Sequence, residues 1–110
     1  MYNKERAKEF IVKFEREFFT GPYSESSIKD DLETRRSMDR ISTLGSSGYT
    51  NKLRDKRNVY IQQFNELLDN TINPILEWAK TDCSDDKIFI SSCENCKSQV
   101  NRMLDIVRNF

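Results

Sequence analysis

Residues 50–80 read TNKLRDKRNVYIQQFNELLDNTINPILEWAK. Leu53, Tyr60, Phe64, Leu67, Leu68, Ile72, Ile75, Leu76 and Ala79 recur at spacings that place them on one face of an α-helix. An apolar face of that length needs a cover, and the flanking segments read as shorter helices that supply it. A straight helix over 50–80 would be roughly 46 Å long at 1.5 Å per residue. A compact domain of 110 residues is roughly 34 Å across, so such a rod overhangs its own globule. Two outcomes resolve the mismatch. Pro74 kinks the rod, because it removes a hydrogen bond and crowds the carbonyl of Asn70; or the overhang pairs with a second copy.

Upstream, Asn3 is placed to cap a first helix, with Glu5 in its first turn where the dipole favours an anion. Ala7, Phe10, Ile11, Phe14 and Phe18 follow at helical spacing. Gly21-Pro22 then stops the helix, glycine taking the left-handed position after the last turn. The first helix is expected at about 4–20. A second is expected at about 25–44, with Ser24 as its cap and Tyr23 against Ile28 as a hydrophobic staple. Its apolar positions are few: Ile28, Leu32, Met38, Ile41 and Leu44. Eight of the twelve residues in KDDLETRRSMDR, 29–40, are charged, so this helix touches the core lightly and shows a broad ionic surface. Asp31/Arg35 and Arg35/Asp39 are opposite charges one turn apart. Thr43-Leu44-Gly45-Ser46-Ser47-Gly48-Tyr49, with two glycines flanking two serines, has the composition of a mobile connection to the third helix.

Downstream, residues 81–86 break the pattern, and Ser84 is a candidate N-cap ahead of Asp85 and Asp86. Phe89, Cys93, Cys96, Val100, Met103, Val107 and Phe110 then recur at helical steps over about 85–109. A start at Ser91, with a capping box to Glu94, competes, but the period runs through and favours the longer helix. Trp78 lies just off the main stripe, either closing the end of the core or half-exposed at an interface. The expected fold is all-α, an antiparallel bundle of three to four helices in one domain, 1–110. Its core is expected to contain Phe10, Phe14, Phe64, Leu68, Ile72, Val100, Met103 and Val107.

Composition narrows the function classes. Hydrophobic residues make up 36% and charged residues 33%, against about 45–50%, glycine included, and about 25% in an average domain, so the core is lean. Eighteen Lys and Arg balance eighteen Asp and Glu. A neutral balance argues against whole-domain attraction to nucleic acid or to an anionic membrane, and it leaves a homodimer open. No run of about eighteen apolar residues suggests a membrane span. The charged start, MYNKERAKEF, does not read as a secretory signal. Three cysteines do not suggest a disulfide framework, and a cytoplasmic setting is expected.

Cys93-Glu94-Asn95-Cys96 matches C-x-x-C, with Cys83 upstream. Zinc needs four ligands, and the chain has no histidine. Both cysteines fall on the apolar stripe, where a thiol packs like a small hydrophobe. No metal and no cofactor is expected. Without histidine most acid–base and nucleophile-activation schemes are closed. Asp30/Asp31 and Asp85/Asp86 sit in expected first helical turns, where acids are favoured for dipole reasons alone. The expectation is a non-catalytic domain that binds a protein partner. The model for it is a small bacterial or phage inhibitor of the immunity-protein or antitoxin type. The expected contact residues are Arg35, Arg36, Asp39 and Arg40 on the second helix with Lys52, Arg54, Lys56 and Arg57 at the start of the third. The same basic residues suit a nucleic-acid-binding protein or regulator, although Asp39 and Asp55 interrupt the charge. A secretion chaperone or adaptor is a further alternative.

Overall fold

Asn3 begins the first helix as its spacing requires: its side-chain oxygen accepts the Arg6 N–H at 3.1 Å. The computed structural model describes residues 2–45 and 51–110, leaving out the side chains of 42–45. Helix α1 spans Lys4–Glu17 and buries Ala7, Ile11 and Phe14. A 3₁₀ turn, Phe18–Thr20, follows. There the Thr20 hydroxyl donates to the Glu17 carbonyl at 2.8 Å. Gly21 has φ −116°, so the left-handed cap expected at this glycine does not form; the 3₁₀ turn ends the helix instead. Ser24 caps the next helix, its hydroxyl accepting the Ser27 N–H at 3.2 Å, and α2 runs Glu25–Gly45. Of the connection expected to be mobile, 43–49, the first three residues continue α2; residues 46–49 and the Leu44 side chain lie outside the described residues.

The long apolar stretch forms three consecutive helical segments. Helix α3 is Lys52–Leu67, a π-helical turn covers Leu68–Ile72, and α4 is Asn73–Asp82. In the π turn the Asn73 N–H donates to the Leu68 carbonyl, five residues back. Pro74 sits in the first turn of α4. A proline ring crowds the preceding turn of a regular α-helix and removes a donor; a widened turn just upstream takes up the misfit while the path stays helical. Ile72 and Asn73 keep helical backbone angles, so the expected kink is resolved as a π turn inside one rod. Helix α5, Lys87–Arg108, is capped by Asp86, which accepts the Phe89 N–H at 3.2 Å. Asp86 takes this place rather than Ser84 because it also pairs with Lys8 and, at 3.7 Å, with Lys4. The cap of α5 thereby holds the start of α1.

Helix α5 is the hub. It packs against α1, α3, the π turn and α4, and more lightly against α2. Chain directions follow from the cross-links. Asp31 meets Tyr60 and Asp39 meets Leu53, so α2 and α3 are antiparallel. Lys8 pairs with Asp86 and the Cys96 thiol donates to the Ile11 carbonyl, so α1 and α5 advance together. Arg102 pairs with Glu25 and Arg36 donates to the Phe110 carbonyl, so α2 also advances with α5. Helices α1 and α2 therefore follow one another along α5 rather than folding back. Stacked rings hold the jog between them: Phe14 on Phe18 at 4.4 Å, Phe18 on Tyr23 at 4.8 Å, and Tyr23 edge-on to Phe64 at 6.0 Å. The result measures 61 × 21 × 20 Å. The expected globule is corrected to an elongated bundle in which the long rod has neighbours along much of its length.

One contiguous core contains Phe14, Phe64, Leu68, Ile72, Val100, Met103 and Val107, as expected, together with Ile28, Leu32, Tyr60 and the three cysteines. Phe10 is the exception at 40% exposed. Ala7, Ile11 and Phe14 take the side of α1 that faces α5, which leaves Phe10 on the shoulder. Trp78 is half-buried between Tyr2, at 5.5 Å, and Phe89, at 6.1 Å, and closes one end of the core.

Asn51 makes no capping bond to α3. Asp39 of α2 does so from across the hairpin, accepting the Lys52 N–H at 2.8 Å and the Leu53 N–H at 3.0 Å. This also offsets the cations that crowd the positive end of the α3 dipole. Asp39→Ala is expected to lower stability by about 1 kcal/mol in denaturant titration and to speed hydrogen exchange at the Lys52 and Leu53 amides.

Candidate protein-docking surface

The eight expected contact residues meet at one end of the molecule, on the last turns of α2 and the first turns of α3. Their circumstances differ. Arg35 donates through Nε to Asp31 at 2.8 Å. Arg36 lies over the Phe110 ring, 4.5 Å from its centre, and bonds Glu33 at 3.2 Å. Asp39 caps α3. Arg36 and Asp39 thus join α2 to other elements, while Arg35 is held within α2 by Asp31. Lys56 is half-buried with its ammonium 5.0 Å from the Tyr60 ring centre, and Arg57 is half-buried. Arg40, Lys52 and Arg54 are exposed, Arg54 lying 3.5 Å from Asp55.

Helical phase explains the division. Ile28, Leu32, Arg35 and Asp39, in steps of four and three, form the side of α2 that meets its neighbours. Met38 and Ile41, read in the sequence as part of that apolar stripe, fall outside it and are exposed, at 43% and 69%. Sequence reasoning therefore missed them as surface residues. The signal was present: both lie out of phase with the Ile28–Leu32 pair. No side chain among residues 37–41 and 51–59 is fully buried, so the described side chains of this hairpin end form no core of their own.

Charge is sorted along the molecule although the total is zero. Residues 37–41 and 51–59 hold five cations, Arg40, Lys52, Arg54, Lys56 and Arg57, against two carboxylates, Asp39 and Asp55. Both carboxylates are engaged internally. Residues 58–79 hold no cation and three carboxylates, Glu66, Asp69 and Glu77. The N-terminal dipole of α3 adds positive potential at the same cationic end. A helix-turn-helix reading head crosses its helices at a steep angle; here α2 and α3 lie side by side from the Asp31–Tyr60 contact to the Asp39–Leu53 contact.

The hairpin is clasped below its tip by one polar cluster. Asp31 accepts from Arg35 and, at 2.6 Å, from the Tyr60 hydroxyl. Desolvation pushes the Asp31 carboxyl upward, but the bonds from Tyr60 and Arg35, with the charges of Arg35 and Lys56, outweigh it and hold the carboxyl below its ordinary value. Burial first, and then the Asp31 carboxylate, push the Tyr60 phenol well above its usual range. Such a phenol is a donor and no base at neutral pH.

Other chemistry-bearing groups are quiet. Cys83, Cys93 and Cys96 are free and buried. Burial, with the neighbouring Cys83, raises the Cys93 thiol to about 11; burial, with Glu15, raises Cys96 to about 12. Among the described residues no group of His, Cys, Asp or Glu is arranged to hold a metal ion, and no helix is long and apolar enough to cross a membrane. A groove of about 340 Å³ is lined by Phe10, Lys13, Phe14 and Glu17 of α1 and Phe18 of the turn that follows it. No protein-family model matches the chain, and no curated protein or solved structure matches it either. The functional reading therefore rests on the chain's own geometry.

Two outcomes follow. A carboxyl lowered by folding stabilises the folded state above its unfolded value, about 3.9, and loses that contribution as pH falls through the folded value. The stability gap between the native protein and Asp31→Asn is thus expected to stay constant from neutral pH to about 5 and to shrink below about 4 in urea titrations at stepped pH. A disulfide-exchange reagent such as DTNB at pH near 8 is expected to label none of the three thiols until denaturant is added, because all three are shut away from solvent.

Proposed function

We propose that this protein is a non-catalytic interaction domain that binds a protein partner and blocks the surface it covers, with the α2–α3 hairpin end as its contact. One observation carries the reading: cations and apolar side chains remain exposed together at this end after internal bonds have taken Arg35, Arg36 and Asp39. Surfaces where Arg lies beside apolar side chains are characteristic of protein interfaces. The cationic field steers an acidic partner toward the hairpin and raises the encounter rate. The rigid bundle behind it supplies the bulk that occludes the partner. Inhibitors of the immunity-protein or antitoxin type act by such occlusion.

The test is affinity capture from the native host with the protein and with Arg40→Glu/Arg54→Glu. Both side chains are exposed, so the double variant is expected to keep the helical circular-dichroism spectrum. A partner captured by the native chain is expected to associate about 10-fold more slowly with the variant, and raised salt should diminish the difference. Equal capture by the two proteins removes the hairpin end from the reading.

A further inference from the structure

We infer that two copies of this chain pair through the groove between α1 and α5, antiparallel about a two-fold axis at Val12. The groove runs beside the first half of α5, where Lys8 meets Asp86 and Cys96 meets Ile11, and so lies away from the hairpin end. Val12 and Ile88 remain 55% and 83% exposed there. Both line one hollow, whose floor includes the buried Ile11 and Phe89. A second hollow further along the groove is lined by Val12, Glu15, Arg16 and Ser92. A third is lined by Lys8, Glu9, Val12, Lys13 and Arg16. Val12 belongs to all three, so the apolar pair and these charges share one surface with Val12 at its centre.

Charge order selects the occupant. Glu5 and Glu9 precede Val12, and Lys13 and Arg16 follow it. At about 100° per residue, Glu5, Arg16 and Glu9 fall within about 60° of Val12 around the helix. The helix dipole accounts for Glu5 in the first turn and Arg16 in the last, but it fades before the middle turns that hold Glu9 and Lys13. Among the described residues Arg16 is met only by its exposed neighbour Glu17, at 3.3 Å. The order acid, apolar, cation becomes its own complement when a copy runs the opposite way, which is what a two-fold contact requires. Glu9 lies about 4.5 Å before Val12, Lys13 about 1.5 Å after it and Arg16 about 6 Å after it. Reversal about Val12 therefore sets Glu9 between the partner's Lys13 and the partner's Arg16. Ile88 lies before the axis as the hollow beside Arg16 lies after it, so each Ile88 enters the partner's hollow. A partner of one sign would meet its own sign over half of this surface, whereas two chains of zero net charge have no long-range repulsion to overcome. In such a pair the two hairpin ends point opposite ways.

The contact is narrow and belongs to the weak class, so the test is sedimentation equilibrium of the full chain from about 5 to about 500 µM. A monomer–dimer equilibrium is expected within that range. Val12→Asp/Ile88→Asp, both at exposed positions, is expected to weaken it at least about 10-fold while the helical circular-dichroism spectrum stays the same. Glu9→Arg alone and Arg16→Glu alone should each weaken the dimer, because each sets like charges against each other. The double variant Glu9→Arg/Arg16→Glu restores the opposite pairing and should recover the native association. That recovery separates an antiparallel contact from general loss of charge. A chain that stays monomeric up to the highest concentration overturns the inference. Additive loss in the double variant, without recovery, overturns the antiparallel pairing. Self-association indifferent to Val12→Asp/Ile88→Asp but lost in Arg40→Glu/Arg54→Glu overturns it in favour of a contact between the cationic hairpin end and the acidic stretch 58–79 of another copy. None of the first three variants touches the hairpin end, so failure here leaves the proposed function standing, and partner capture indifferent to Arg40→Glu/Arg54→Glu leaves this inference standing.

Discussion

The shared apolar side of α5 governs the rest of the structure. Phe89, Cys93, Cys96, Val100, Met103, Leu104 and Val107 are all buried, and every other helix packs against the helix that carries them. A chain with so few apolar residues cannot give each helix its own partner surface. One helix must serve as common ground, with the others laid along it. That condition accounts for the shape. Helices α1 and α2 take successive lengths of the same support, so the molecule is long and thin rather than round. Cys93 and Cys96 belong to this stripe too. Burial lets them pack closely, the Cys96 thiol touching the α1 backbone, and it also raises the pKa values of Cys93 and Cys96.

Polar contacts then set the register of the pieces along that support. Asp86 joins the cap of α5 to the start of α1; Arg36 joins α2 to Phe110; Asp31 and Tyr60 join α2 to α3. Surface ion pairs taken singly are worth little. Several of these do a further task as caps or hydrogen bonds to main chain, which lowers the cost of leaving helix ends unsatisfied. Asp39 is the clearest case, because it closes the α3 N-terminus from another helix. A cationic hairpin end whose described side chains are not fully buried can keep its shape because these cross-links lie at and just below it.

The surface proposed for docking is what remains when those internal contacts are removed from the charged face of α2. An interface needs both steering charge and apolar area that is desolvated on contact. Arg40, Lys52 and Arg54 provide the first, Met38 and Ile41 the second. The separation of charge along α3 and α4 gives this end a direction: cations gather where the helix dipole is positive, and carboxylates occupy the following turns. A neutral chain therefore still presents a strongly signed end.

The all-α class, the helix boundaries to within a few residues, and most of the core were legible in residue spacing and capping residues. Local physics decides those features: Asn3 and Ser24 cap because their side chains reach nearby amides, and the Phe89–Val107 stripe buries because it has a helical period. Three things were not legible. The Pro74 misfit became a π turn because tertiary packing on both sides kept the rod together. Phe10 was left outside the core because a helix's buried side is chosen by its neighbours, not by its own apolar residues alone; the exposure of Met38 and Ile41, by contrast, was signalled by their phase against Ile28 and Leu32. Asp39 became the cap of a helix thirteen residues away, and Arg36 a clamp on Phe110, because long side chains answer to whatever the fold brings within reach. The sequence by itself determined that these segments are helices and which residues want burial. Only the tertiary structure decided which charges stay free for a partner, since a charge is free only after every internal neighbour has been placed.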